Sequence, residues 1–150
     1  MRHCPQIKET RRLRTITIAF DIDGTLRNNT ITDAYVANER IRTLLITLAS
    51  MKNTKIIVWS GGGEGYARRA ADAMGIVKYV DEYADKGYGG YDADGRPIFH
   101  TELRPDIAFD DIEECDLASI NLIVDEEGFT PGYVRRNDRD ATGISADSPH

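Results

Sequence analysis

Ile16-Thr17-Ile18-Ala19-Phe20-Asp21-Ile22-Asp23-Gly24-Thr25-Leu26 decides how this chain is read. The apolar, β-branched run predicts a buried strand, and it ends on two carboxylates separated by one residue. Like charges that close raise each other's pKa, and burial raises it further. Such a pair is costly to keep unless chemistry or a metal ion makes use of it. Gly24-Thr25 lets the chain turn sharply straight after the second acid.

Similar apolar runs recur downstream. Strands are expected at residues 15–20, 55–59, 77–80, 107–109 and 120–124. Helical patterns lie between them. Ile41, Leu44, Leu45 and Leu48 recur at i, i+3, i+4 and i+7 within residues 33–51, and Ala67, Ala70, Ala71 and Met74 repeat that spacing within 64–74. Gly75 supplies a helix stop, and a third helix is expected from 111 through 117. Strands alternating with helices call for an α/β fold, here a five-stranded, mainly parallel sheet covered on both faces. Ligand sites in such sheets lie beyond the carboxyl ends of the strands. Those ends carry Asp21-Ile22-Asp23, Ser60-Gly61-Gly62-Gly63, Asp81-Glu82 and Asp110-Asp111, so catalysis-capable residues collect at one edge.

At 150 residues the chain fits one domain with a real core. The net charge of −6 argues against a nucleic-acid partner, because phosphate backbones want lysine and arginine. No apolar run approaches membrane-spanning length, so no membrane partner is expected. Residues 1–14 form a basic amino-terminal arm without the apolar core of a secretory signal, expected to be a solvated tail. Cys4 and Cys115 make no disulfide framework, which points to a reducing, cytoplasmic location. Residues 82–104 are rich in Gly, Tyr and Asp and suit a small hairpin turning at 92–97. The polar tail, 135–150, is expected to be a surface loop or disordered.

The candidate residues suit phosphoryl chemistry. A carboxylate that attacks phosphorus forms an acyl phosphate and splits hydrolysis into two displacements. Asp21 is the candidate nucleophile, and Asp23 the candidate general acid and then base. A hard divalent cation such as Mg²⁺ takes oxygen ligands, with Asp21, Asp23, Asp110 and Asp111 as the candidate set, Asp111 acting directly or through water. Ser60 with Gly61 and Gly62, between a strand and a helix, makes a candidate phosphate cradle. Lys86 supplies a fixed positive charge for the phosphoryl oxygens and the nucleophile. The bland alternatives are turn acids at a strand end, a helix cap at Ser60 and a solvated lysine at position 86. Tyr66 fits either the pocket wall or packing, and Trp59 fits the core.

Together these residues resemble the haloacid dehalogenase-like (HAD) superfamily of phosphohydrolases. Asp21, Asp23, Gly24 and Thr25 match its first motif, and Ile56-Ile57-Val58-Trp59-Ser60-Gly61 its second. Lys86 is the best match to the third, and Ile107-Ala108-Phe109-Asp110-Asp111 matches the fourth. The resemblance runs in order over residues 15–125 and assigns a hydrolase domain to 15–134. It implies a Rossmann-like three-layer sandwich whose central strand carries Asp21, Mg²⁺ as cofactor, and an aspartyl-phosphate intermediate. An aspartate at position 23 is the family's pattern for phosphatases rather than dehalogenases. The segments where family members insert a cap, 27–54 and 81–106, hold little more than one helix and one hairpin, so the chain resembles the capless members. An open site implies a phosphorylated macromolecule such as a polynucleotide end, or a small molecule enclosed by a neighbouring subunit of a homo-oligomer. The leading expectation is thus a Mg²⁺-dependent phosphomonoesterase. The alternatives are a nucleic-acid end-processing 3'-phosphatase and a non-catalytic regulatory module that keeps the fold.

Overall fold

Six strands hydrogen-bond into one sheet in the computed structural model, which describes residues 14–28, 34–112, 116–125 and 128–134. They are β1 (Ile16–Asp21), β2 (Thr54–Ser60), β3 (Glu82–Asp85), β6 (Ile107–Asp110), β7 (Ile120–Val124) and β8 (Phe129–Val134). β4 (Tyr88–Tyr91) and β5 (Pro97–Phe99) form a separate antiparallel hairpin. Two α-helices, α1 (Glu39–Ala49) and α2 (Glu64–Ala73), link β1 to β2 and β2 to β3. The sheet order is β3-β2-β1-β6-β7-β8, with every pairing parallel except β7 with β8. The chain builds outward from β1 to β3, then returns to lay β6 on the other side of β1. The switch point therefore falls between β1 and β6.

Alternation along the strands sorts the core into two layers. Ile18, Phe20, Ile56 and Val58 meet Ile41 and Leu45 of α1 and Ala67, Ala70 and Ala71 of α2. Phe20 stacks on Phe109, with ring centroids 4.8 Å apart. On the opposite face Ala19, Ile57, Trp59, Ala84 and Ala108 are covered by Leu117 and Ala118, with Phe99, Leu103 and Ile112 packed around them. Burying such side chains contributes about 1.5–3 kcal/mol for each large aliphatic or aromatic residue.

The α/β class and the mainly parallel sheet match the sequence expectation, but four details differ. The sheet has six strands, not five. β8 was not expected because Pro131 and Gly132 interrupt its pattern, yet it is an edge strand, where proline is tolerated. A Cβ on Gly132 would stand 2.9 Å from Ile123 Cδ1, so glycine lets the edge approach β7. Residues 77–80 are not a strand: Val77–Tyr79 is a 3₁₀ turn following Gly75, whose φ of 71° ends the helical stretch. The third strand is Glu82–Asp85, a polar-looking edge strand with Glu82 ion-paired to Lys55 at 2.7 Å.

The third difference concerns the expected helix over 111–117, whose described residues, 111–112 and 116–117, are not helical. Finally, both helices pack on one face, and the hairpin residue Phe99 together with irregular chain covers the other. Among the described residues, segment 27–54 holds α1, and segment 81–106 holds β3 with the β4–β5 hairpin.

Residues 1–13 and 135–150, which include nearly all of the expected arm and tail and also Cys4, lie outside the described residues, as does Cys115. Arg14, at the end of the arm, is ion-paired with Asp106 at 3.0 Å. Among the described residues no helix is long and apolar enough to cross a membrane.

Candidate active site

Strand register builds the site. Ala19 pairs with Ala108 and Phe20 with Phe109 across the β1–β6 ladder. One step further, Asp21 and Asp110 emerge side by side at the carboxyl ends of the two strands that border the switch point. Both share the parity of the alanines, so they face the hairpin side of the sheet. On the other side of β1, Asp21 pairs with Trp59, which puts Ser60 at the same edge. Ser60 in turn pairs with Asp85, and its carbonyl accepts the Lys86 N–H at 3.0 Å. The chain turning out of β3 thereby aims the Lys86 side chain back across the strand ends.

Lys86 Nζ stands 2.8 Å from Asp21 Oδ1 and 2.7 Å from Asp110 Oδ2. All three side chains are at least nine-tenths buried. The solvated-lysine reading is thus excluded by position. Phe99 underlies the ammonium, its ring centroid 5.0 Å from Nζ. Burial opposes the charge on Lys86, but the carboxylates of Asp21 and Asp110 outweigh it and hold its pKa above the usual lysine value. The Asp21 carboxyl is pushed well above the ordinary aspartate range by burial and by the Asp110 charge, against the lysine's pull.

Asp111 completes the group. Its carboxylate, with those of Asp21 and Asp110, offers oxygen atoms that all lie within 4.8 Å of one another. Burial and the neighbouring Asp110 raise its pKa as well. Asp110 Oδ1 accepts the Ile112 N–H at 3.0 Å, and Thr25 Oγ1 lies 3.4 Å from Asp21 Oδ2. Three carboxylates against one ammonium leave a net charge near minus two when all are ionised. Converging hard oxygen donors with that surplus fit a divalent cation such as Mg²⁺.

Asp23 is not in this group. The chain turns after Asp21, with Leu26 N–H bonded to the Asp21 carbonyl at 3.3 Å and Gly24 at a φ of 83°. That turn carries the half-exposed Asp23 carboxylate toward α2, where Oδ1 accepts Tyr66 Oη–H at 2.7 Å and Arg27 Nη1–H at 2.8 Å. Arg27 also donates to Tyr66 Oη at 3.2 Å and lies over the Tyr35 ring, 5.1 Å from its centroid. Burial and the bond to Asp23 push the Tyr66 hydroxyl up to about 12, so it stays protonated and donating at neutral pH. Sequence reasoning left Tyr66 between pocket and packing, and missed Arg27 and Tyr35 entirely. No periodic pattern links them, since the loop after β1 brings Asp23 and Arg27 to the first turn of α2, where Tyr66 sits.

A cleft of about 300 Å³ opens over the strand ends. Asp21, Asp23, Ser60, Gly61, Gly62, Lys86 and Asp111 all line it, with Tyr88 and Phe99 from the hairpin. Ser60 Oγ accepts the Gly62 N–H at 2.9 Å, so that amide is engaged within the expected cradle. Trp59 is fully buried, as expected for a core residue. No family model, curated protein or solved structure matches this chain.

Proposed function

We propose that this chain is a capless HAD-like phosphatase that hydrolyses a phosphomonoester with Mg²⁺. One observation carries the reading: a buried lysine clamps two carboxylates from neighbouring strands at the switch point, with a third carboxylate beside them. A merely structural ion pair needs one acid. Three acids around one lysine fit a centre that binds a cation and keeps one carboxylate ionised.

In the first displacement an Asp21 carboxylate oxygen attacks phosphorus, the bond from phosphorus to the ester oxygen breaks, and the leaving oxygen takes a proton from Asp23. In the second, water gives a proton to Asp23 and attacks phosphorus. The acyl-phosphate bond then breaks, releasing inorganic phosphate and restoring Asp21. Lys86 favours the ionised form of Asp21 against burial and the Asp110 charge and orients its carboxylate, and Tyr66 with Arg27 fixes the Asp23 carboxylate at the cleft wall. Ser60 accepts rather than donates in its bond to Gly62, which keeps its own proton for an incoming phosphoryl oxygen. Asp21, Asp110 and Asp111 would hold the Mg²⁺, which when bound supplies the charge that offsets repulsion between substrate and carboxylates.

The test is phosphate release in Mg²⁺ buffer across sugar phosphates, nucleotides and 3'-phosphorylated oligonucleotides, run beside Asp21→Asn. Turnover that disappears in the variant while its circular dichroism is unchanged supports the reading. Absence of turnover across the whole panel overturns it.

A further inference from the structure

The hairpin beside the cleft leaves two aromatic rings uncovered. Tyr88 is 48 % and Tyr91 67 % exposed, although both belong to a short hairpin whose own core is thin. Their rings stand edge to face, with centroids 5.9 Å apart, and Tyr88 leans on Phe99 at 6.0 Å. Tyr88 and Phe99 also line the cleft that contains Ser60, Lys86 and Asp21. The apolar wall is thus continuous with the polar floor.

Glycines keep the approach to these rings flat. A Cβ on Gly61 would contact Tyr88 Cβ at 3.4 Å, so the hairpin at Tyr88 comes close to the Ser60–Gly62 turn. Gly90, between the two tyrosines, has open space where a side chain would be. A second protein copy is a poor occupant, because a stable interface buries about 1,200 Å² or more and two tyrosines supply only a small part of that. A long polyanion is also disfavoured, since Asp92 and Asp94 are exposed in the turn of the same hairpin and Asp85 at the end of β3 just before it. One flat, neutral ring fits both the size and the charge of the patch.

We propose that Tyr88 and Tyr91 form a stacking platform for a nucleobase, and that the substrate is a phosphomonoester carrying a base beside its phosphate. This rests on the phosphatase reading for the phosphate end and adds recognition of the remainder of the ligand. A phosphoryl group at Ser60 and Lys86 leaves its ester substituent at the cleft mouth beside Tyr88, with Tyr91 next to it. Base stacking on an aromatic side chain tolerates any base, so the platform selects for a ring rather than for a sequence.

The test compares adenosine 5'-monophosphate with ribose 5-phosphate, which is the same sugar phosphate without the base. Binding of each to Asp21→Asn protein in Mg²⁺ is measured by calorimetry, and turnover by the native chain is measured separately. The nucleotide should bind about 5- to 150-fold more tightly, the range that one stacked base is worth. Tyr88→Phe should keep that ratio, because the ring and not the hydroxyl is used. Tyr88→Leu and Tyr91→Leu, which keep apolar bulk without a ring, should bring it down several-fold. A 3'-phosphorylated dinucleotide run alongside tells whether the base belongs to a free nucleotide or to a strand end.

Equal binding of nucleotide and sugar phosphate overturns the proposal. So does a ratio that ignores both leucine variants, and so does failure of both ligands to bind. Ring-dependent binding without any turnover by the native chain refutes the hydrolytic reading and leaves the platform standing. Turnover that treats both substrates alike, with equal binding, does the reverse.

Discussion

Gly24→Ala disturbs the site without replacing any charged side chain. A Cβ at Gly24 would lie 2.1 Å from Asp111 Oδ2, 2.5 Å from its Cγ and 3.1 Å from its Cβ. Ordinary contacts begin at 3.4 Å, so the Asp111 carboxylate must retreat by more than about 1 Å. Rotating the carboxylate is not enough, because the rest of the side chain is crowded too. Gly24 also has a φ of 83°, and a side chain there costs about 1–2 kcal/mol in backbone strain. With the clash added, the variant should lose about 2–4 kcal/mol of stability. A displacement of that size beside the reacting centre should also lower turnover about 100-fold. Mg²⁺ affinity should fall about tenfold or more, as when the support of a metal ligand is lost.

The stability cost divides cleanly in a double-mutant cycle with Asp111→Ala. Removing the obstructing carboxylate leaves the backbone strain alone, so the two substitutions should couple by at least about 1 kcal/mol. Trp59 is the single tryptophan and is fully buried, so its fluorescence follows unfolding in urea directly. Calorimetry gives the Mg²⁺ affinity. Additive stability costs together with unchanged Mg²⁺ affinity would refute the claim that Gly24 exists to seat Asp111.

Lys86→Met removes the positive partner of two buried carboxylates and should cost about 3–5 kcal/mol in Mg²⁺-free urea unfolding, less when Mg²⁺ is present; equal losses in both buffers would contradict a shared role for lysine and cation. Mg²⁺ at a hundred times its dissociation constant should stabilise the native chain by about 2.7 kcal/mol and raise the melting temperature by several degrees, reversed by chelation and absent in Asp110→Asn. Asp106 offers a pH prediction away from the site. Partial burial opposes its charge, but hydrogen bonds from Thr17 and the Arg14 guanidinium outweigh this and lower its pKa. A carboxyl lowered in the folded state stabilises above its unfolded value of about 4 and loses that stabilisation as pH falls through the folded value. Asp106→Asn should therefore cost about 1–2 kcal/mol at pH 7 and much less at pH 3, and urea midpoints that fall in parallel for both proteins would count against it.

What was legible in the sequence follows the strength of the local signal. β1, β2, β6 and β7 are buried apolar runs, and each was located to within about a residue. Their ends then placed Asp21, Ser60, Asp110 and Asp111 at one edge, because parallel strands share a direction. β3 escaped because an edge strand reads as polar: Glu82 and Asp85 flank a short core contribution from Ala84. The apolar 77–80 run drew the assignment instead, although Val77 is largely exposed. That one shift changes the standing of Lys86, which directly follows the true β3 and so reaches the site. The contacts of Asp23 with Tyr66 and Arg27 were not legible. They span 43 and 4 residues and join a loop to the first turn of α2, a proximity that only the fold supplies.

Charge explains why the proposed reaction would use both the lysine and a cation. With an effective dielectric near 20, three like charges no more than 4.8 Å apart repel by at least about 10 kcal/mol in total. Two contacts to Lys86 at 2.7–2.8 Å return about 12 kcal/mol on the same scale. The lysine therefore cancels the mutual repulsion of the acids and little more. Removing four charges from water still costs several kcal/mol per ion, which is why Asp21 and Asp111 resist ionisation. An incoming phosphate dianion adds repulsion that Lys86, already committed to Asp21 and Asp110, cannot absorb. On the proposed phosphatase reading the second positive charge comes from a cation held by the remaining carboxylate oxygens, and its arrival should release protons from Asp21 and Asp111. Mg²⁺ binding measured in two buffers of different ionisation enthalpy reads that release directly. Uptake with no net proton release at any pH above the ordinary aspartate range would mean the acids are already ionised, and that the lysine alone suffices.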